Sequence, residues 1–130
     1  MISLSIYLLI IIAAISKAAM DKLQFHFYNS IFSEQKHLFW NPDESWKNKW
    51  KNGNVLFGEK FWFSSTILIF LTDGWHLMQF LFLNSFFIAL FLIALHDCTL
   101  REAIVHLIIL RALFGLTFEL HFKYIFTLRL

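Results

Sequence analysis

Proline occurs once in this chain, at Pro42, cysteine once, at Cys98, and glycine only four times. A single cysteine excludes an internal disulfide framework. Cys98 is expected to be an ordinary buried or interfacial thiol. No Gly-rich loop is present to cradle a phosphate, and no internal repeat or low-complexity run interrupts the chain. Charge is also scarce. Asp, Glu, Lys and Arg together make 15% of the residues and the net charge is only +2, so charge does not argue for nucleic acid as a partner.

What the chain has instead is apolar and aromatic surface. Of 130 residues, 58% are hydrophobic and 17 are Phe, with a mean hydropathy of +0.62. A soluble chain this short could not bury so much Phe, because small domains leave a large share of their surface wet. Lipid contact removes that difficulty. The composition therefore predicts an all-α integral membrane protein of three or four spans, built as a single membrane domain.

The longest apolar stretch runs from Phe61 to Leu95, 35 residues in which only Asp73 and His76 are ionisable. A helix needs about 20 residues to cross a bilayer. At 1.5 Å per residue this stretch would run on the order of 50 Å. It must project, fold back at Asp73-Gly74, or break near Asn84-Ser85. The expected arrangement is a helix over 61–83, a break at Asn84-Ser85 and a short helix to about 97. An earlier run, 3–16, is nearly all apolar and lacks the basic stretch of a secretory signal, so it reads as a first membrane helix over 2–19. Residues 103–127 read as the last, although they hold His106, Arg111, Glu119, His121 and Lys123.

Between the first two runs lies a polar segment, 20–60, with aromatics interleaved among its charges. Trp and Tyr favour the headgroup zone, so one or two amphipathic helices on the membrane surface are expected. Asn41-Pro42-Asp43 and Asn52-Gly53 are turn signals, and Pro42 is also placed to start a short helix. Trp46-Lys47-Asn48-Lys49-Trp50-Lys51, with Trp40 nearby, reads as a lipid-interface anchor, lysines on anionic lipid and indoles at the acyl boundary. A dedicated lipid-headgroup site is the bolder reading. Seven lysines fall within 17–60, which predicts that 20–60 faces the cytoplasm with the N-terminus outside.

Placed on one helix, Ser65, Thr66, Thr72, Asp73, His76, Gln79 and Asn84 share an arc of about 140°. Within it, Asp73 and His76 at i, i+3 are the candidate catalytic pair: an acid orienting an imidazole, or two metal ligands. His26 and His106 are further candidate metal ligands, and His76 with His106 are candidate cofactor ligands for haem or a metal ion. The alternative is structural: Asp73 clamped to Arg111 at matching depth, and Glu119 to Lys123 at i+4.

Phe25-His26, Ser30-Ile31-Phe32-Ser33, Ser45 to Trp50, Ser64-Ser65-Thr66 and Thr72-Asp73-Gly74-Trp75-His76 together resemble a group of small bacterial multi-pass membrane proteins, over residues 20–80. The resemblance implies an integral protein of a bacterial inner membrane and no activity. Met20-Asp21-Lys22 with His26 also resembles the Asp-Lys-x-x-His start of VanZ-like membrane proteins, with one extra residue between Lys22 and His26.

Three function classes follow. The first is a non-catalytic subunit or interaction protein of a larger membrane assembly, contacting other subunits or a second copy. The second is a metal-dependent membrane enzyme acting on a lipid or lipid-linked substrate. The third is a haem- or quinone-linked redox subunit.

Overall fold

The computed structural model describes residues 3–128. Its first helix, α1, is Leu4–Phe25, capped by the Ser3 hydroxyl, which accepts the Ser5 amide. It runs six residues beyond the expected end at 19. Lys17 does not stop it, because Asp21 one turn on takes its ammonium group and screens the charge within the helix. Lys22 is buried, donates to the Thr127 hydroxyl at 2.8 Å and lies over the Phe122 ring at 4.3 Å. The expected start at Ile2 lies outside the described residues.

The second helix, α2, is Gly74–Ala94. This corrects the sequence expectation twice. Residues 61–73 are not helical in the α sense. They form turns and a single 3₁₀ turn, Ile69–Leu71. The expected break at Asn84-Ser85 is also absent. Asn84 turns its amide back onto the Phe80 carbonyl and Ser85 is buried against the bundle, so neither competes with the helical ladder. At 21 residues, α2 is about 31 Å long, close to the hydrocarbon thickness. One span results where a broken pair was allowed for.

The third helix, α3, is Leu100–Leu120, continued by a π-helical turn, His121–Ile125. It begins three residues before the expected 103. Thr99 and Glu102 form a reciprocal capping box that satisfies the first amides.

Three helices are thus long and apolar enough to cross a membrane: Leu4–Phe25, Gly74–Ala94 and Leu100–Ile125. Among the described residues there is no strand, only the isolated bridges Ser30–Thr127 and Trp50–Glu59. α1 is the centre of the bundle. Its small residues Ala13, Ala14, Ser16, Ala18 and Ala19 are all buried, which lets neighbouring backbones approach closely. At one end Ile6 and Ile10 pack with Ala89 of α2 and Leu110 of α3. At the other, Ala19 and Leu23 pack with Trp75 and Met78 of α2 and with Phe126. Hence α2 is antiparallel to α1, and α3 is parallel to it. α2 and α3 lie against α1 and touch each other little.

Residues 26–73 form a cap over the end where α1 finishes and α2 begins. The expected amphipathic helices are replaced by a string of single turns, from Phe27–Asn29 to Val55–Phe57. Asn41 caps the turn Pro42–Ser45 by accepting the Asp43 amide at 3.0 Å. At Asn52 (φ 54°) and Gly53 (φ 71°) the chain reverses in left-handed geometry. The chain end is stitched to the cap: the Ile31 amide donates to Phe126 O at 3.2 Å and the Leu128 amide to Asn29 O at 3.1 Å.

Candidate functional site

Asp73 stands at the junction of cap and bundle. Its backbone is extended (φ −149°, ψ 155°) and its carboxylate caps α2, Oδ1 accepting the His76 amide at 2.9 Å. The other oxygen, Oδ2, accepts from His76 Nδ1 at 2.6 Å. The Asp73 side chain is 6% exposed and that of His76 31%. So the i, i+3 pair exists, and its first job is to satisfy amides that a helix start leaves without partners. Because the helix begins at Gly74, Ser65, Thr66 and Thr72 do not share a helical face with His76 and Gln79, and the expected polar arc is not formed.

The cap grips this junction from the other side. Asn48 donates to the Thr72 carbonyl at 2.6 Å, and Lys60 donates to Asn48 Oδ1 at 2.7 Å. Ser64, fully buried, donates to the Lys49 carbonyl at 2.8 Å. Glu59 accepts the amides of Phe63 and Ser65, at 3.2 and 3.1 Å, and the Ser65 hydroxyl. These bonds, the hydroxyl first, hold the Glu59 carboxyl below the usual carboxylate range. They also stabilise Phe63 in its left-handed conformation, φ 60°. Gly74 faces Trp40 so closely that a Cβ there would lie 2.2 Å from Trp40 Cε3.

The remaining candidates scatter. Arg111 makes no ion pair with Asp73. It sits midway along α3, whereas Asp73 sits at the end of α2, so the matching depth assumed from a 61–83 helix does not arise. Glu119 and Lys123 do pair. His106 lies near the start of α3 at the end of the bundle opposite His76, its Nδ1 buried without a hydrogen-bond partner. A single cofactor held by both is therefore not built. His26 is exposed and packs edge-on against Phe122, ring centroids 5.6 Å apart. No three His, Cys, Asp or Glu side chains among the described residues gather as metal ligands. The expected metal set of Asp73, His76, His26 and His106 is not assembled.

Of the expected lipid-facing residues, Trp40 is instead stacked on Phe32 at 5.0 Å and packed in the core with Trp75. Trp46 is exposed, with Lys47 over its ring at 5.7 Å, and Lys49 lies 5.8 Å from the Trp50 ring. Lys51 is exposed, as is Cys98 on the loop between α2 and α3. Sequence reasoning passed over Val55, Leu56, Phe57, Trp62 and Phe63, a run of exposed apolar side chains on the cap in which Leu56 is 89% and Trp62 86% exposed. It also passed over Glu59, the Lys22–Thr127 bond and the Gly74–Trp40 contact. For Thr99 a signal existed, the Thr-x-x-Glu spacing of a capping box. The Lys22 and Gly74–Trp40 contacts depend on partners distant in sequence.

What this arrangement does chemically is hold a helix end. Compared with protein-family models, curated proteins and solved structures, the chain matches none.

Proposed function

We propose that this chain is a non-catalytic subunit of a larger membrane assembly, seated in a bacterial inner membrane with its cap on the cytoplasmic side. One observation carries the reading: α1 holds the bundle together while few residues of α2 and α3 are fully buried, 11% and 6% of their most apolar stretches against 44% for α1. Lipid can cover the apolar part of that surface, but Arg111 is exposed on it, and a charge there calls for protein. The seven lysines of 17–60 support the orientation. The exposed Leu56, Phe57, Trp62 and Phe63 beside Lys47, Lys49 and Lys51 suit a cap resting at headgroup depth. Asp73 and His76, the pair most suited to chemistry, are used as a helix cap.

The test is the mass of the native particle. An epitope-tagged chain, expressed in its own host at natural level and solubilised gently, is expected to run on a native gel well above its own 15.5 kDa plus detergent. A band at the mass of the isolated chain overturns the reading.

A second reading, a membrane enzyme acting on a lipid or lipid-linked substrate, draws on one feature. Asp73 holds His76 by Nδ1 and leaves Nε2 without a partner among the described residues, on a part-exposed ring, the arrangement of an oriented general base. Under it, His76→Ala abolishes the cellular role while the protein stays folded.

A further inference from the structure

We propose that the face of α3 around Arg111 seats a transmembrane helix of another protein, one that carries a carboxylate at mid-span. This rests on the subunit reading and names the partner's chemistry. With α3 as a membrane span, Arg111 lies far from both membrane surfaces. In the span Leu100–Ile125 it lies about 17 Å from the first residue and about 21 Å from the last. Its guanidinium turns toward Gly115, where Nη1 would stand 3.0 Å from an added Cβ, and Gly115 is still about 15 Å short of Ile125. Arginine keeps its charge at any relevant pH. A charge at that depth is costly unless an anion meets it.

None of the described residues provides the anion. Arg111 forms no hydrogen bond or ion pair with any described residue. The two carboxylates that line a hollow with it, Asp21 and Glu119, are already bound to Lys17 and Lys123. Lys17 and Lys123 thus take the two anions, and the charge left over is that of Arg111. A second copy in the same membrane orientation would bring the same excess, Arg111 against Arg111, so self-association does not resolve it.

The surface around Arg111 suits a helix. A shallow hollow of about 670 Å³ runs along α3, floored by Arg111, Ala112 and Gly115 between Leu107 and Leu116. Small residues there allow close backbone approach. On its other flank Arg111 edges a groove of about 410 Å³ between α2 and α3, lined by Phe82, Phe86, Leu110 and Phe114, which exists because those two helices scarcely touch. A mid-span carboxylate on the occupant would form the charge-assisted pair the guanidinium lacks.

The experiment uses the whole chain in phosphatidylcholine vesicles, labelled with an acceptor dye at its one cysteine, the exposed Cys98. The probes are synthetic leucine–alanine transmembrane peptides, donor-labelled, with a single central Glu, Gln or Leu, studied above neutral pH. Energy transfer is expected to show the Glu peptide binding about tenfold more tightly than the Gln peptide. Arg111→Gln is expected to remove that preference with the circular dichroism melt unchanged, and Gly115→Leu to weaken binding with Arg111 intact. Equal binding of Glu and Gln peptides to the natural chain overturns the proposal, as does a preference that survives Arg111→Gln. The native gel separates this from the subunit reading. If the natural chain runs alone, the subunit reading falls and the peptide preference still decides the site. If the natural complex persists in Arg111→Gln and the peptides are not distinguished, this site falls and the subunit reading stands.

Discussion

Replacing Gly74 by alanine is the most direct test of how the cap is joined to the bundle. The added Cβ would meet Trp40 at 2.2, 2.6 and 3.0 Å, on Cε3, Cζ3 and Cδ2. These are ring carbons of a side chain that cannot swing away. Phe32 is stacked on one side of Trp40 and Phe39 stands edge-on, each at 5.0 Å. Overpacking costs about 1–3 kcal/mol, and a contact this short against a wedged ring belongs at the upper end. Against it stands the helix preference of alanine over glycine, at most about 1 kcal/mol and less in the first turn. The net expectation is a loss of about 2 kcal/mol, the difference of those two figures. It would be read from equilibrium unfolding in mixed detergent–SDS micelles, followed by circular dichroism. Removing the ring supplies the control: in a Trp40→Leu background the same substitution should be neutral or slightly stabilising. A Gly74→Ala protein as stable as the natural chain would refute the reasoning. So would an undiminished penalty in the Trp40→Leu background, which would place the effect in the backbone and not in the contact.

The remaining expectations follow the same junctions. Asp73→Ala should cost about 0.5–2 kcal/mol through the lost cap, while Asp73→Asn, which can still cap, should cost far less; combined with Arg111→Gln it should be additive within about 0.5 kcal/mol, since the two residues do not touch. Thr127→Val removes the acceptor of the buried Lys22 and should cost about 1.5–3 kcal/mol, with the Lys22→Met, Thr127→Val pair losing less than the sum of its singles. The Ser65 bonds lower the Glu59 pKa in the folded state, so its contribution is present above the unfolded value and is lost as pH falls through the folded one; amide exchange at Phe63 and Ser65 should speed up in that acidic window, and Ser65→Ala should move the Glu59 titration upward. Tyr28, raised chiefly by its hydrogen bond to Asp43, behaves oppositely: its contribution holds below the ordinary tyrosine value and is lost at higher pH. An impermeant thiol reagent on intact cells should label Cys98, and should fail to label a cysteine at Asn52 in a Cys98-free background; the reverse pattern would invert the orientation.

Much of the site was hidden by composition. Phe61 to Thr72 is as apolar as α2 itself, so hydropathy joined the two into one element and put Asp73 in mid-membrane. Asp73 is in fact the end of the apolar run that matters. Its carboxylate accepts an amide that a continuous helix would have used internally. Once α2 starts there, the Asp73–Arg111 pair and the polar arc both dissolve, since each assumed a helix over 61–83. The Glu119–Lys123 pair survives because it depends on one helical turn alone. Asn41-Pro42-Asp43 could be read for the same reason, its cap and turn lying within three residues.

Local order and membrane class were therefore written in the chain: three apolar runs that become helices long enough to cross, and turns marked by Asn, Pro and Gly. These rest on interactions between near neighbours, or between a residue and lipid, which sequence spacing reveals. The tertiary structure alone decided where the second span begins and what Thr72 to His76 are for. That choice turns on contacts made by the cap, Asn48 bonding the Thr72 carbonyl 24 residues away and Trp40 packed against Gly74. An apolar segment gains from leaving water in either a helix or a packed turn. Only the partners waiting for its polar groups distinguish the two.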